Sequence, residues 1–115
     1  MLRLAAFSGF SAVALGAFGA HGLQRVLLQC QTVETWKTAV LYHLTHSLLL
    51  LFLAGKAQYR TAWICVMVGV LIFSGSLYVL ALTGVKWLGA ITPLGGMLLL
   101  AGWGLLFLKA SCRSK

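Results

Sequence analysis

Acidic residues are almost absent: Glu34 is the only carboxylate among 115 residues, against nine lysines and arginines. With no acid inside any apolar run, a Ser-His-Asp arrangement lacks the group that orients its imidazole, and no G-x-S-x-G elbow exposes a serine. The same gap removes the intramembrane carboxylate that proton-coupled cation export needs, leaving histidines only as weak proton relays. No H-E-x-x-H motif occurs. Cysteine is sparse: Cys30, Cys65 and Cys112 are odd in number, lie on different segments and show no C-x-x-C spacing, so neither a disulfide nor a metal is assigned to them. Proline occurs once, at Pro93.

Charge of either sign is scarce as well. At 9% charged and 61% hydrophobic residues, the chain lies far from the soluble average of about 25% charged. This is the composition of a membrane protein. Four stretches nearly free of charge, approximately residues 4–23, 38–55, 61–85 and 87–108, are each long enough to cross a bilayer of about 30 Å as a helix. The expected fold is all-α, an integral membrane antiparallel four-helix bundle forming one domain over residues 1–115. No room remains for a soluble catalytic domain.

The net charge of +8 reads as topology rather than nucleic-acid binding. Arg3, Lys56, Arg60, Lys109, Arg113 and Lys115 fall on one side, against Arg25, Lys37 and Lys86 on the other, which by the positive-inside bias places both termini in the cytoplasm. Arg3, the apolar run after it and Ala17-Phe18-Gly19 also fit a secretory signal with its cleavage site. Three further spans and the packing glycines of that run favour a permanent helix instead.

Along the first segment Ser8, Ala12, Gly16 and Ala20 recur every four residues, a stripe nearly free of bulk on which another helix can pack closely. The connection of residues 24–37 is amphipathic and suited to lie in the interface. Thr32 is expected to cap the second helix, with Glu34 in its first turn. Trp36 and Trp87 on one side, and Tyr59 and Trp63 on the other, are expected at headgroup depth. Short connections around residues 56–60 and 84–87 force antiparallel neighbours. Pro93, followed by Gly95 and Gly96, predicts a kink or a late helix start.

The residues able to do chemistry gather near one end of this bundle. His21 closes the first segment, His43 and His46 open the second, Ser74, Ser76 and Tyr78 end the third, and Thr92 with Pro93 opens the fourth. His43 and His46, three residues apart, share a helix face. Buried polar groups of this kind face the bundle interior and mark either a functional path or a hydrogen-bond network. Three readings stay open. The imidazoles of His21, His43 and His46 suit hydrogen-bonding glue between helices, ligation of a metal or b-type haem, or a cradle for a quinone-like head group held by a His with a Tyr or Ser.

Ala14-Leu15-Gly16-Ala17-Phe18-Gly19-Ala20-His21-Gly22, Tyr42-His43-Leu44-Thr45-His46-Ser47-Leu48, Phe73-Ser74-Gly75-Ser76-Leu77-Tyr78 and Thr92-Pro93-Leu94-Gly95-Gly96 together resemble the YgdD-like family of small four-span bacterial inner-membrane proteins. The resemblance runs in order over nearly the whole chain. It implies a multi-pass protein of the bacterial inner membrane and makes these motifs the natural candidate site, but it supplies no reaction, because the family is one of unknown function.

The expected function is therefore a non-enzymatic accessory or interaction subunit with no cofactor, whose outer half holds a small polar ligand or a partner through His21, His43, His46, Ser74, Ser76, Tyr78, Thr92 and Pro93. Helix packing is expected at Ser8, Ala12, Gly16, Ala20, Gly95 and Gly96. The rival is a haem-, metal- or quinone-binding redox protein centred on His21, His43 and His46. Expected partners are the bilayer and a second copy or a larger membrane complex, with Gly102 and Gly104 offering an outer packing surface.

Overall fold

A computed structural model describes residues 1–113; Lys115, counted above among the inner-side charges, lies outside the described residues. The protein is helical throughout, with α1 at Leu2–Ala20, α2 at Gln24–Cys30, α3 at Val33–Leu53, α4 at Arg60–Thr83 and α5 at Thr92–Arg113. Single stretches of 3-10 helix, Ala57–Tyr59 and Lys86–Ala90, precede α4 and α5. Among the described residues, three segments, Leu2–Ala20, Ala57–Thr83 and Lys86–Arg113, are long and apolar enough to cross a membrane. Four such spans were expected. The exception is α3, which is long enough but carries Glu34, Lys37, Tyr42, His43, Thr45, His46 and Ser47.

The boundaries follow local chemistry. α1 stops at Ala20, short of the expected Leu23, because His21 turns the chain: its N–H reaches the carbonyls of Ala17 and Phe18, and the Leu23 N–H returns to Phe18. The connection that follows is helical, as its periodicity suggests, and α2 buries Leu27 against Trp36 and Ala81. Gln31, at φ 56°, ends α2 in the left-handed region, and α3 begins two residues later, five residues ahead of the expected span. Gly84, at φ 70°, ends α4 in the conformation that glycine adopts without a Cβ penalty. Pro93 sits in the first turn of α5, where its missing N–H costs nothing, so the late start is what the sequence predicts.

α1 packs on α3, α3 on α4 and α4 on α5, while α1 and α5 make no comparable contact. The helix row stays open, with a cross-section of 26 × 18 Å and a length of 54 Å. Two apolar cores mark its ends. One joins Ala5, Leu50, Leu53, Trp63, Val66 and Leu99, with Leu106 against them; the other joins Leu27, Trp36 and Ala81, with Leu15, Val40 and Tyr78. The starts of α1 and α4 thus meet the ends of α3 and α5, an antiparallel alternation that brings the Met1 and Arg113 ends together.

The closest seam is α4 on α5. A Cβ built on Gly95 would lie 2.4 Å from the Phe73 nitrogen, and one on Gly102 2.6 Å from Val66 Cγ2, so Gly95 lets the two backbones meet and Gly102 makes room for the Val66 side chain. That corrects Gly102, expected on an outer surface; Gly104, with nothing within 4 Å, does face outward. Ser8 and Ala12 are buried, Gly16 has Val40 close by and Gly96 abuts the Phe73 ring, whereas Ala20 is exposed.

Three further expectations are corrected. Thr32 occupies the cap position, yet its hydroxyl donates to the Ala81 carbonyl at 2.8 Å and caps nothing. Trp36 and Trp63 are buried, not belted at the interface, because each indole N–H finds a carbonyl, Leu15 at 3.0 Å and Leu50 at 3.1 Å. Trp87 remains exposed.

Candidate functional site

The polar residues expected to form one site resolve into separate networks. In the first, Tyr78 on α4, His43 on α3 and Ser11 on α1 line up: His43 Nδ1 lies 2.9 Å from the Tyr78 hydroxyl, and its Nε2 lies 3.5 Å from Ser11 Oγ. Ser11 donates its own proton to the Ser8 carbonyl at 2.9 Å. It is therefore the acceptor toward His43, which puts the ring proton on Nε2 and leaves Nδ1 to accept from Tyr78. Ser47 donates to the His43 carbonyl at 2.6 Å, so Ser8 Oγ, 2.6 Å from Ser47 Oγ, donates to it. Every proton in this chain from α4 to α1 has one place to go.

The second network lies across α3 and α5. His46 Nδ1 is 2.8 Å from the Tyr42 carbonyl, which only accepts, so the proton is on Nδ1. The bare Nε2 then takes the Trp103 indole N–H at 3.2 Å, with the rings edge to face at 6.2 Å. Tyr42 stacks on the His46 ring at 5.9 Å and tilts against Phe73 at 4.6 Å. A third link joins α4 to α5: Ser76 donates to the Phe73 carbonyl at 2.9 Å and takes Thr92 Oγ1 at 2.6 Å. Ser74 donates to the Ala39 carbonyl at 2.9 Å. Among the described residues no buried side-chain nitrogen or oxygen lacks a partner.

His43 and His46 therefore diverge, one toward α1 and α4 and the other toward α5. His21 is exposed at the end of α1, outside all of these networks. Among the described residues no group of three His, Cys, Asp or Glu is placed to hold a metal ion. Both ring nitrogens of His43 and of His46 are already engaged, so iron, zinc or a quinone oxygen would have to displace an internal hydrogen bond.

Beside the second network the surface opens. Tyr42, His46, Phe73, Pro93, Gly96 and Trp103, with Met97 and Leu100, line a groove of about 470 Å³ between α3, α4 and α5. Pro93 takes part here as groove wall, not in a polar contact. Sequence reasoning passed over Ser11 and Trp103. Trp103 did carry a signal: an indole in the middle of an apolar span, away from either interface, must find an acceptor inside the protein. Ser11, one turn after Ser8, shares its face.

A helical architecture with long apolar segments, polar groups sealed within it and an apolar exterior defines a membrane protein. Residues 15–96 match the family described as "Protein of unknown function (DUF423)". The relatives agree. The chain is 43% identical to UPF0382 inner membrane protein YgdD of Escherichia coli strain K12, covering 96% of this chain and 88% of that protein. It is 40% identical to UPF0382 membrane protein YwdK of Bacillus subtilis, covering 93% and 92% of the two. It is 42% identical to UPF0382 membrane protein SH2409 of Staphylococcus haemolyticus, covering 92% and 90%. The chain belongs to this UPF0382 (DUF423) membrane protein family. No solved structure matches it.

Proposed function

We propose that this is a four-span protein of the bacterial inner membrane, with both termini cytoplasmic, that acts as a non-enzymatic interaction subunit. The groove between α3, α4 and α5 takes the transmembrane helix of a partner, whether a second copy or another membrane protein. α3 spans as the fourth helix: its 21 residues reach about 31 Å, and its buried polar groups Ser47, His43 and His46 bond to α1, α4 and α5 respectively. Arg3, Lys56, Arg60, Lys109 and Arg113 mark the cytoplasmic end, against Arg25, Lys37 and Lys86 at the outer end.

The observation that carries the reading is the contrast between sealed chemistry and an open surface. Among the described residues, the buried hydroxyls and imidazoles all have hydrogen-bond partners inside the chain. Next to them the groove offers an apolar wall, a glycine at Gly96 that admits a neighbouring backbone, and a polar tip at the Tyr42 hydroxyl. Small residues and interhelical hydrogen bonds are what hold membrane helices together where the hydrophobic effect is lost.

Gly96→Leu tests it. A Cβ there makes only ordinary contact with Phe73, at 3.8 Å, so the variant folds while filling the groove. Recovery of the partner, or of the dimer, in mild detergent falls at least tenfold relative to Gly104→Leu, which changes an outward position. Equal recovery from the two variants contradicts the assignment.

A further inference from the structure

A second groove, of about 500 Å³, lies between α1, α2 and α3. Gly16, Gly19 and Ala20 leave its α1 wall without side-chain bulk, and Leu28 on α2 and Leu41 on α3 also line it. Trp36 packs directly on Gly19, leaving no room there for a Cβ. The lining side chains are apolar apart from Gln24, Lys37 and the Trp36 indole N–H. Lys37 is the last charge before the apolar run of α3 begins. Its ammonium pairs only with Glu34, at 3.6 Å, and both side chains are largely exposed, a pairing worth little in water.

We infer that this groove binds one anionic phospholipid, with an acyl chain lying along Gly16, Gly19 and Leu41 and the phosphate held by Lys37 and Gln24. Three properties select that occupant over an uncharged one. The lining is mostly apolar, Lys37 is the one cation in it, and Lys37 stands in the first turns of α3, the level a headgroup phosphate would take with an acyl chain along the groove. A cation at that depth attracts anionic headgroups. Glu34 opposes the phosphate and competes for Lys37.

Native mass spectrometry of the full chain, loaded with phosphatidylglycerol or with phosphatidylcholine of the same acyl chains, reads the site directly. The wild type retains one phosphatidylglycerol about fivefold better than phosphatidylcholine, one basic side chain's worth of headgroup attraction. Lys37→Gln removes the preference, Glu34→Gln raises it, and Lys56→Gln, at the opposite end, leaves it unchanged. Leu41→Trp fills the groove and lowers retention of both lipids. Circular dichroism accompanies each variant, and the exposure of Lys37 and Glu34 keeps their substitutions compatible with folding. Equal retention of the two lipids by the wild type overturns the inference. So does a preference that survives Lys37→Gln, or retention untouched by Leu41→Trp.

Discussion

Trp103 on α5 donates its indole N–H to Nε2 of His46 on α3 at 3.2 Å, joining two helices that scarcely touch otherwise. The bond exists because the other ring nitrogen of His46 is fixed by the Tyr42 carbonyl one turn back on its own helix. One histidine thus sets the rotation of α5 against α3. In hydrocarbon neither group has water to fall back on.

Breaking this bond from either side costs stability. Trp103→Phe keeps the ring and removes the donor, and His46→Leu removes the acceptor; each lowers the unfolding free energy in mixed micelles by about 1 kcal/mol. The double variant loses less than the sum, with a coupling of about 0.6 kcal/mol, the average for polar pairs between membrane helices, and no more than about 1.7 kcal/mol. Strict additivity would mean that the two side chains do not meet.

Tyr78→Phe isolates the first network. Loss of the hydroxyl leaves His43 Nδ1 without its donor at the centre of the helix row and costs about 1 kcal/mol. Phenylalanine preserves the ring packing on Trp36, where the centroids are 4.8 Å apart. His43→Leu in the Tyr78→Phe background then recovers part of the loss, because replacing both partners by apolar groups is milder than orphaning one. Failure of that recovery would show that His43 is held by something other than Tyr78.

Gly95→Ala tests the tightest seam. The added methyl would meet the backbone of Phe73 at 2.4 Å, and backbone cannot give way as a side-chain tip can. The cost is about 1 to 3 kcal/mol, despite the helix propensity of about 1 kcal/mol that alanine gains over glycine. Gly104→Ala, with open space around it, is neutral or stabilising. Thermal unfolding of the two variants side by side reads the difference.

The native cysteines report topology without any substitution. Cys30, on α2, and Cys112, near the end of α5, are both exposed and lie at opposite ends of the molecule. A membrane-impermeant maleimide added to spheroplasts labels Cys30 and spares Cys112 until the membrane is opened. Labelling of Cys112 alone in intact spheroplasts reverses the orientation, and labelling of both contradicts four spans.

Most of the helix layout is legible in the chain. Charge-free runs, Pro93 at a helix start and Gly84 at a helix end act through local backbone chemistry, which a sequence displays directly. The errors come from groups whose partners lie on another helix. Trp36 and Trp63 carry the same composition signal as interface tryptophans, and only the carbonyls of Leu15 and Leu50 waiting within reach make them core residues. Thr32 looks like a cap until Ala81 takes its hydroxyl. Gly102 looks like an outer packing surface until Val66 closes over it. The candidate site suffered in the same way: the residues expected to converge do lie on neighbouring helices, but side-chain direction splits them, sending His43 to Tyr78 and His46 to Trp103 and leaving His21 outside.

We propose that the groove beside His46 and Trp103 is where this protein meets its partner. A photoreactive phenylalanine analogue at Met97, on the groove wall, measures that in living cells, with the same analogue at the exposed Phe7 of α1 as the reference. One discrete protein adduct is expected from Met97, identified by mass spectrometry as a single membrane species, absent from Phe7 and lost when Gly96→Leu fills the groove. Only lipid adducts from Met97, or the same protein adduct from both positions, would contradict it.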